Sequence, residues 1–171
     1  PTDDQVGWVG SMSGPYKSSD GGLHWVSKRR GMGGFDGGMY SAPIQKILFD
    51  PHDANRLLAV GGSHRRWSSP GSPKWGTVWE SRDAGENWKQ IANIKGKNIL
   101  TAGFAAGSSD SLYAAIEQLG VFVSADGGAT WSEANQGLPS TNINWIEPHP
   151  NEPGSAFISM GNYKPSGTST Y

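Results

Sequence analysis

Short apolar runs, separated by Gly-, Asp- and Pro-rich punctuation, recur along the whole chain and read as strands rather than helices. Ile44-Gln45-Lys46-Ile47-Leu48-Phe49 and Leu57-Leu58-Ala59-Val60 are joined by Asp50-Pro51-His52-Asp53-Ala54-Asn55-Arg56, a stretch suited to a turn. The same unit returns as Asn144-Trp145-Ile146-Glu147-Pro148-His149-Pro150 followed by Ala156-Phe157-Ile158-Ser159. Between them lie Leu100 to Phe104 and Leu112 to Ile116. Two further runs, Thr77-Val78-Trp79 and Val121-Phe122-Val123, each lead into a turn from which Trp88-Lys89-Gln90-Ile91 and Trp131-Ser132-Glu133 return. The pattern predicts an all-β chain built from a repeating unit of four strands.

The turn before the fourth strand carries the strongest signal. Ser18-Ser19-Asp20-Gly21-Gly22-Leu23-His24-Trp25, Ser81-Arg82-Asp83-Ala84-Gly85-Glu86-Asn87-Trp88 and Ser124-Ala125-Asp126-Gly127-Gly128-Ala129-Thr130-Trp131 align without gaps as S-x-D-x-G-x-x-W. Physical roles follow for the box residues. The Asp carboxylate accepts backbone N–H bonds two residues on, the Gly (Gly22, Gly85, Gly128) supplies positive φ, and the Trp begins the returning strand with its ring on the sheet. Four antiparallel strands with a fixed hairpin in the third turn make one propeller blade, whereas a β-sandwich requires no such regularity.

At these residues the chain resembles the Asp-box, or bacterial neuraminidase repeat, superfamily of propellers. That group includes sialidases, xyloglucan-hydrolysing enzymes, the sortilin receptors and a photosystem II assembly factor. The resemblance covers nearly the whole chain and implies a partial β-propeller, about three and a half blades long, of an extracellular or periplasmic protein. It does not choose an activity, since one scaffold hosts many. Residues 1–34 are expected to form a first blade lacking its first strand, with Val6 to Met12 aligned on Leu112 to Gln118. Residues 35–94 and 95–137 form the second and third blades, and residues 138–171 the first two strands of a fourth. On this reading the remaining blades come from further chain or from other copies, and the chain by itself is not an independent folding unit.

The repeat departs from itself in two places. Asp20 and Asp83 are 63 residues apart, but Asp83 and Asp126 only 43. The excess divides between the connector after the first box, residues 29–40, and the loop between the second and third strands of blade 2, residues 61–75. In an antiparallel blade both positions fall on the face opposite the boxes, and long loops on a rigid repeat are where binding and catalysis concentrate. The first insertion is glycine-rich with one carboxylate, Asp36, at its centre, followed by Tyr40. Asp36 is the candidate catalytic group; capping a turn is its structural alternative. The second insertion holds His64, Arg65, Arg66, Trp67 and Trp75 among serines and prolines. Indole faces to stack on and donors for hydroxyls suit a sugar; equally, Trp and Arg anchor protein interfaces. Trp75 falls in this insertion or in the third strand. Glu117, at the start of the tight turn in the third blade, and Tyr163, in the last loop, would face the same side as ligand contacts or as solvated turn residues.

Composition narrows the partners. With 25 Gly, 11 Pro, 8 Trp and a net charge of -1, the chain offers turns and aromatic packing surfaces but no basic field for nucleic acid. No apolar run reaches the ~18 residues of a membrane span. Zero Cys excludes disulfides and thiolate metal sites. His52 and His149 recur at equivalent turns and read as scaffold, so no metal site and no cofactor are expected. Two functions remain. One is a glycan-binding or glycan-hydrolysing propeller with an oligosaccharide or polysaccharide ligand; the other is a non-catalytic protein-binding scaffold. Glycoside hydrolysis by the usual route needs two carboxyl groups about 5 to 9.5 Å apart. The resemblance to xyloglucan-cleaving propellers, whose catalytic pair faces a cleft between two propeller domains, implies that the partner of Asp36 lies outside this chain.

Overall fold

In the computed structural model, which describes residues 4–32, 43–62, 75–95 and 97–161, the described residues form thirteen strands and no helix. Blade 1 consists of β1 (Gly7–Ser11), β2 (Gly14–Ser18) and β3 (Val26–Ser27). Blade 2 is β4 (Ile44–Phe49), β5 (Leu57–Gly62), β6 (Trp75–Ser81) and β7 (Lys89–Lys95). Blade 3 is β8 (Ile99–Phe104), β9 (Leu112–Ile116), β10 (Gly120–Ser124) and β11 (Ser132–Glu133), and blade 4 is β12 (Ile143–Pro148) with β13 (Ala156–Met160). Each sheet is an antiparallel meander in chain order, and blades 2 and 3 have the expected four strands.

The ladders correct one detail of the repeat. Gly7 pairs with the box residue Ser18, as Leu57 pairs with Ser81 and Leu112 with Ser124. Gly7, not Val6, is therefore the counterpart of Leu112. The shift of one residue matters because it exchanges the two faces of the strand, and it puts Trp8 in the column of Leu58, Tyr113 and Phe157. A second regularity has no trace in the hydrophobic pattern: the register slips at the same place in every first strand, between Ile44 and Lys46, Ile99 and Thr101, and Ile143 and Trp145. A bulge bends each of these strands identically.

The three boxes are one structure repeated. Each serine hydroxyl donates to its Asp Oδ1 at 2.8 Å and accepts the N–H of the box glycine at 2.8–2.9 Å. The carboxylate reaches further than the sequence suggests. It accepts the N–H four residues on, from His24 at 3.0 Å, Asn87 at 2.8 Å and Thr130 at 2.8 Å, together with the same residue's side chain. The amide two residues on, that of the box glycine, goes instead to the serine oxygen, which also accepts the Asp amide at 3.3 Å. Box glycines take φ of 93°, 86° and 93°, and the residue before them is also left-handed, including Ala84 at 55°.

Hydrogen bonds between turns separate the two ends of the blades. Ala84 N donates to Asn55 O at 2.8 Å and Gly127 N to Asp110 O at 2.9 Å, so the boxes and the turns between first and second strands share one end. At the other end, Gly62 N donates to Pro43 O, Glu117 N to Asn98 O and Gly161 N to Asn142 O.

The core lies between blades. Ile44, Leu57, Ala59, Trp79 and Trp88 of blade 2 close on Trp8 and Met32. Leu48, Leu58, Val60 and Val78 close on Ile99, Leu112, Ala114 and Ile116 of blade 3, and Ala115 and Val121 close on Ile143 and Ile146 of blade 4. Each fully buried aliphatic side chain contributes about 1.5–3 kcal/mol. A polar staple reinforces the middle joint. Arg56, 6% exposed, donates to Asp50 at 2.8 Å and Glu80 at 2.8 Å within its own blade, and to the carbonyls of Ser109 and Gly127 in the next. Burial works to raise the Asp50 carboxyl, but bonds from the Ser109 hydroxyl, the His52 amide and Arg56 hold it below its ordinary value.

Two predictions follow from the boxes. A Cβ on Gly85 would stand 2.1 Å from the Trp8 ring, at φ 86°, whereas Gly137, at φ 83°, has nothing within 4 Å. Gly137→Ala should therefore cost only the left-handed strain of about 1–2 kcal/mol, and Gly85→Ala about 1–3 kcal/mol more from overpacking. Denaturant unfolding measures both, and equal losses would show that the box is not seated on Trp8. The second concerns acid. Bonds from the Asn87 side chain and amide and from Ser81 pull the Asp83 carboxyl down to about 2, and bonds from Thr130 and Ser124 do the same for Asp126. A depressed folded value means that the turn contributes fully above the ordinary carboxylate value of 3.8 and loses that contribution as the pH falls toward 2. Carboxyl 13C titration should give midpoints near 2 for both residues; an ordinary midpoint for either would contradict the network.

Candidate functional site

The end of the blades away from the boxes is built by the second-to-third-strand turns and by the residues leading into each first strand. Three such pairs are joined by backbone hydrogen bonds: Gly62 to Pro43 at 3.2 Å, Glu117 to Asn98 at 2.9 Å and Gly161 to Asn142 at 2.8 Å. Pro43 is where the first insertion returns to the fold and Gly62 is where the second departs. Both length excesses are thus rooted side by side on one rigid edge.

The start of the first insertion differs from expectation. Residues 29–32 do not project from the face; they run along the seam of blades 1 and 2. There the Arg30 carbonyl accepts the Trp88 N–H at 2.8 Å, Met32 is 8% exposed in the core, and Lys28 pairs with Glu86 at 2.6 Å. Asp36, Tyr40, His64, Arg65, Arg66, Trp67 and Tyr163 lie outside the described residues. Trp75 is the first residue of β6, with its backbone opposite Lys95, so it belongs to the third strand.

Glu117 sits at this end, but not as an exposed turn residue. It is 2% exposed and accepts a hydrogen bond from Asn98 Nδ2 at 2.8 Å, Asn98 itself being 5% exposed. The turn beside it is tied down as well. Gln118 takes φ 61°, its side chain accepts from Lys97 Nζ, and its carbonyl accepts from Thr141 Oγ1 at 3.2 Å. Asn98, Lys97 and Thr141 are the residues of this polar strip that sequence reasoning missed. A signal for them existed in the repeat: the column that reads Gly62 and Gly161 in the neighbouring blades holds Glu117 in blade 3. A buried carboxylate where the scaffold elsewhere uses glycine departs from what the blade needs for folding.

His52 and His149 stay on the box end. His52 N donates to Asp50 Oδ1 at 2.9 Å, and the His149 ring packs on Phe157 with centroids 5.6 Å apart. Among the described residues, no helix is long and apolar enough to cross a membrane.

No family model and no curated protein matches the chain. Solved structures do. The chain superposes on the GH74 xyloglucanase from Xanthomonas campestris with a TM-score of 0.63 at 15% identity, over 94% of this chain and 26% of that one. It superposes on an ancestral GH74 enzyme with a TM-score of 0.59 at 19% identity, over 85% of this chain and 19% of the enzyme. For a GH74 enzyme of Niastella koreensis the values are 0.55 and 17%, over 81% and 21%. The fold is therefore that of a β-propeller segment with four-stranded antiparallel blades. The chain spans about a fifth to a quarter of the length of these enzymes.

The buried pair gives a prediction. Asn98→Ala removes a donor to a buried carboxylate and should cost about 1.5–3 kcal/mol, while Glu117→Gln, which keeps the shape and one acceptor, should cost less. Urea unfolding compares them; a smaller loss in Asn98→Ala than in Glu117→Gln would show that the amide does not support the carboxylate.

Proposed function

We propose that the chain is part of a glycan-acting propeller, with its ligand on the face opposite the boxes, working outside the cytoplasm. The observation that carries this reading is the Gly62–Pro43 hydrogen bond, 3.2 Å long, which roots the two inserted loops together at the edge that also holds the Glu117–Asn98 pair. The segment after Gly62 holds Trp67, Arg65 and Arg66, and the glycine-rich segment before Pro43 holds Asp36 and Tyr40. Trp67 supplies a stacking face and the arginines and His64 supply donors to hydroxyls, which is the chemistry a polysaccharide needs. Glu117, held by Asn98, belongs to the same end of the blades. The likeness to a xyloglucanase supports a β-linked, branched glucan as the ligand class.

Hydrolysis needs a second carboxyl group at 5 to about 9.5 Å from Asp36. In this reading Asp36 is one member of that pair, and its partner comes from outside the chain. A protein-binding scaffold would use the same Trp and Arg residues without turnover and without affinity for sugars. Calorimetry with xyloglucan oligosaccharides separates the two. Trp67→Ala should weaken binding by about 1–3 kcal/mol without unfolding a blade, by analogy with other aromatic stacking platforms. Asp36→Asn should leave oligosaccharide affinity largely intact and abolish turnover in the protein that supplies the partner carboxyl. Full affinity after Trp67→Ala, or no affinity in the parent protein, would overturn the glycan reading.

A further inference from the structure

Among the described residues, two that are not glycine hold a left-handed backbone, Ala84 at φ 55° and Gln118 at φ 61°. The box explains Ala84, since Gly21 and Gly127 take the same place in the other two. Gln118 belongs to no box. It stands in the turn between β9 and β10, at the end of the blades away from the boxes, and it is exposed. Glycine would hold this backbone without strain, so the side chain carries a local cost that burial does not offset.

The bonds of Gln118 point to a use for that side chain. Lys97 Nζ donates to Gln118 Oε1 and fixes the carboxamide, while Thr141 Oγ1 donates to the Gln118 carbonyl at 3.2 Å and ties the turn to blade 4. Both acceptors of the residue are thereby engaged, but its Nε2 has no partner among the described residues. Lys97 forms no ion pair among the described residues and donates only this one bond, so it keeps further N–H groups to offer. Next to the pair, Glu117 is buried against Asn98, which holds the turn in place. The pair also adjoins the root of the second insertion: Gly62 is opposite Gly76, and a Cβ on Gly76 would stand 2.8 Å from the Lys97 carbonyl oxygen.

A sugar hydroxyl is donor and acceptor at once, and a site that offers both matches it best. Lys97 and Gln118 offer donors only, and one of the two carries a full positive charge. The complementary group is a charged acceptor with no proton of its own, which among sugar substituents is a carboxylate. We propose that Lys97 and Gln118 form a subsite for an acidic sugar, a uronate on a branch of the polysaccharide. Gln118 is the specificity-determining residue; Lys97 orients its amide and supplies the charge. The subsite rests on the glycan reading and narrows it, from a branched glucan to one whose branches bear acid groups.

Calorimetry with two probes tests the subsite: neutral xyloglucan oligosaccharides, and the same oligosaccharides with their exposed primary hydroxyls oxidised to carboxylates. The 171-residue protein should bind the oxidised form about tenfold more tightly at low salt, as a charge-assisted contact implies, and the advantage should shrink as ionic strength rises. Gln118→Gly relieves the left-handed strain and is expected to keep the fold, yet it should cut that preference to about threefold or less. Lys97→Ala, which removes the charge and frees the amide, should abolish it. Equal affinity of the parent for the two probes, or an undiminished preference in either variant, overturns the subsite while binding of the neutral probe leaves the glycan reading standing. No affinity for either probe overturns that reading, and the subsite with it.

Discussion

The joints of blades 1 with 2 and 2 with 3 pass through the box turn, and the box turn depends on a serine hydroxyl that bonds in both directions at once. By donating to the Asp carboxylate and accepting from the box glycine, Ser18, Ser81 and Ser124 close a loop of two consecutive left-handed residues that would otherwise be strained. The carboxylate closes the second half by taking the amide four residues on. The result is a rigid, side-chain-free plateau at the glycine, and only such a plateau lets a neighbouring ring or leucine approach the backbone. A turn that is local in sequence thereby determines how blades stack.

Between those plateaus the joints are not equivalent. The first is aromatic, Trp8 against Trp88; the second is aliphatic and carries the Arg56 staple in addition. A buried guanidinium that bonds two carboxylates and two carbonyls satisfies the donors that burial would otherwise strand. Its counterparts in the other turns are Ser111 and Ser155, so the staple is specific to one joint. That joint also underlies the candidate site, because Pro43, Gly62, Asn98 and Glu117 all belong to blades 2 and 3. The anchors of both long insertions, Pro43 and Gly62, thus lie beside the joint that carries the staple.

The division of labour between the two ends of a blade follows from antiparallel geometry. Box turns, and the seven-residue turns hydrogen-bonded to them, occupy one end and repeat closely. At the other end the second-to-third-strand connection is free to be a tight turn, as at Glu117, or the root of a long loop, as at Gly62. Change in length at that end disturbs no joint, which is why the chain can differ there from blade to blade.

The sequence by itself determined what is local. Box turns, strand positions and the four-strand period were all legible, because a turn needs particular residues at fixed offsets and a strand needs short apolar runs between them. The spacing of the boxes also marked where the repeat changes length, and so which end carries the longer connections. Tertiary structure decided what depends on contact between distant segments. The one-residue register of β1, which turns Trp8 toward the next blade, came from pairing with Ser18 and not from similarity of residues. The bulge in each first strand left no pattern, since an extra residue in a buried strand looks like any other apolar position. Burial of Glu117 beside Asn98, and of Met32 in a seam, depended on which blade stood next to them. A polar residue in a turn is solvated by default, and only the approach of a neighbouring element removes its water.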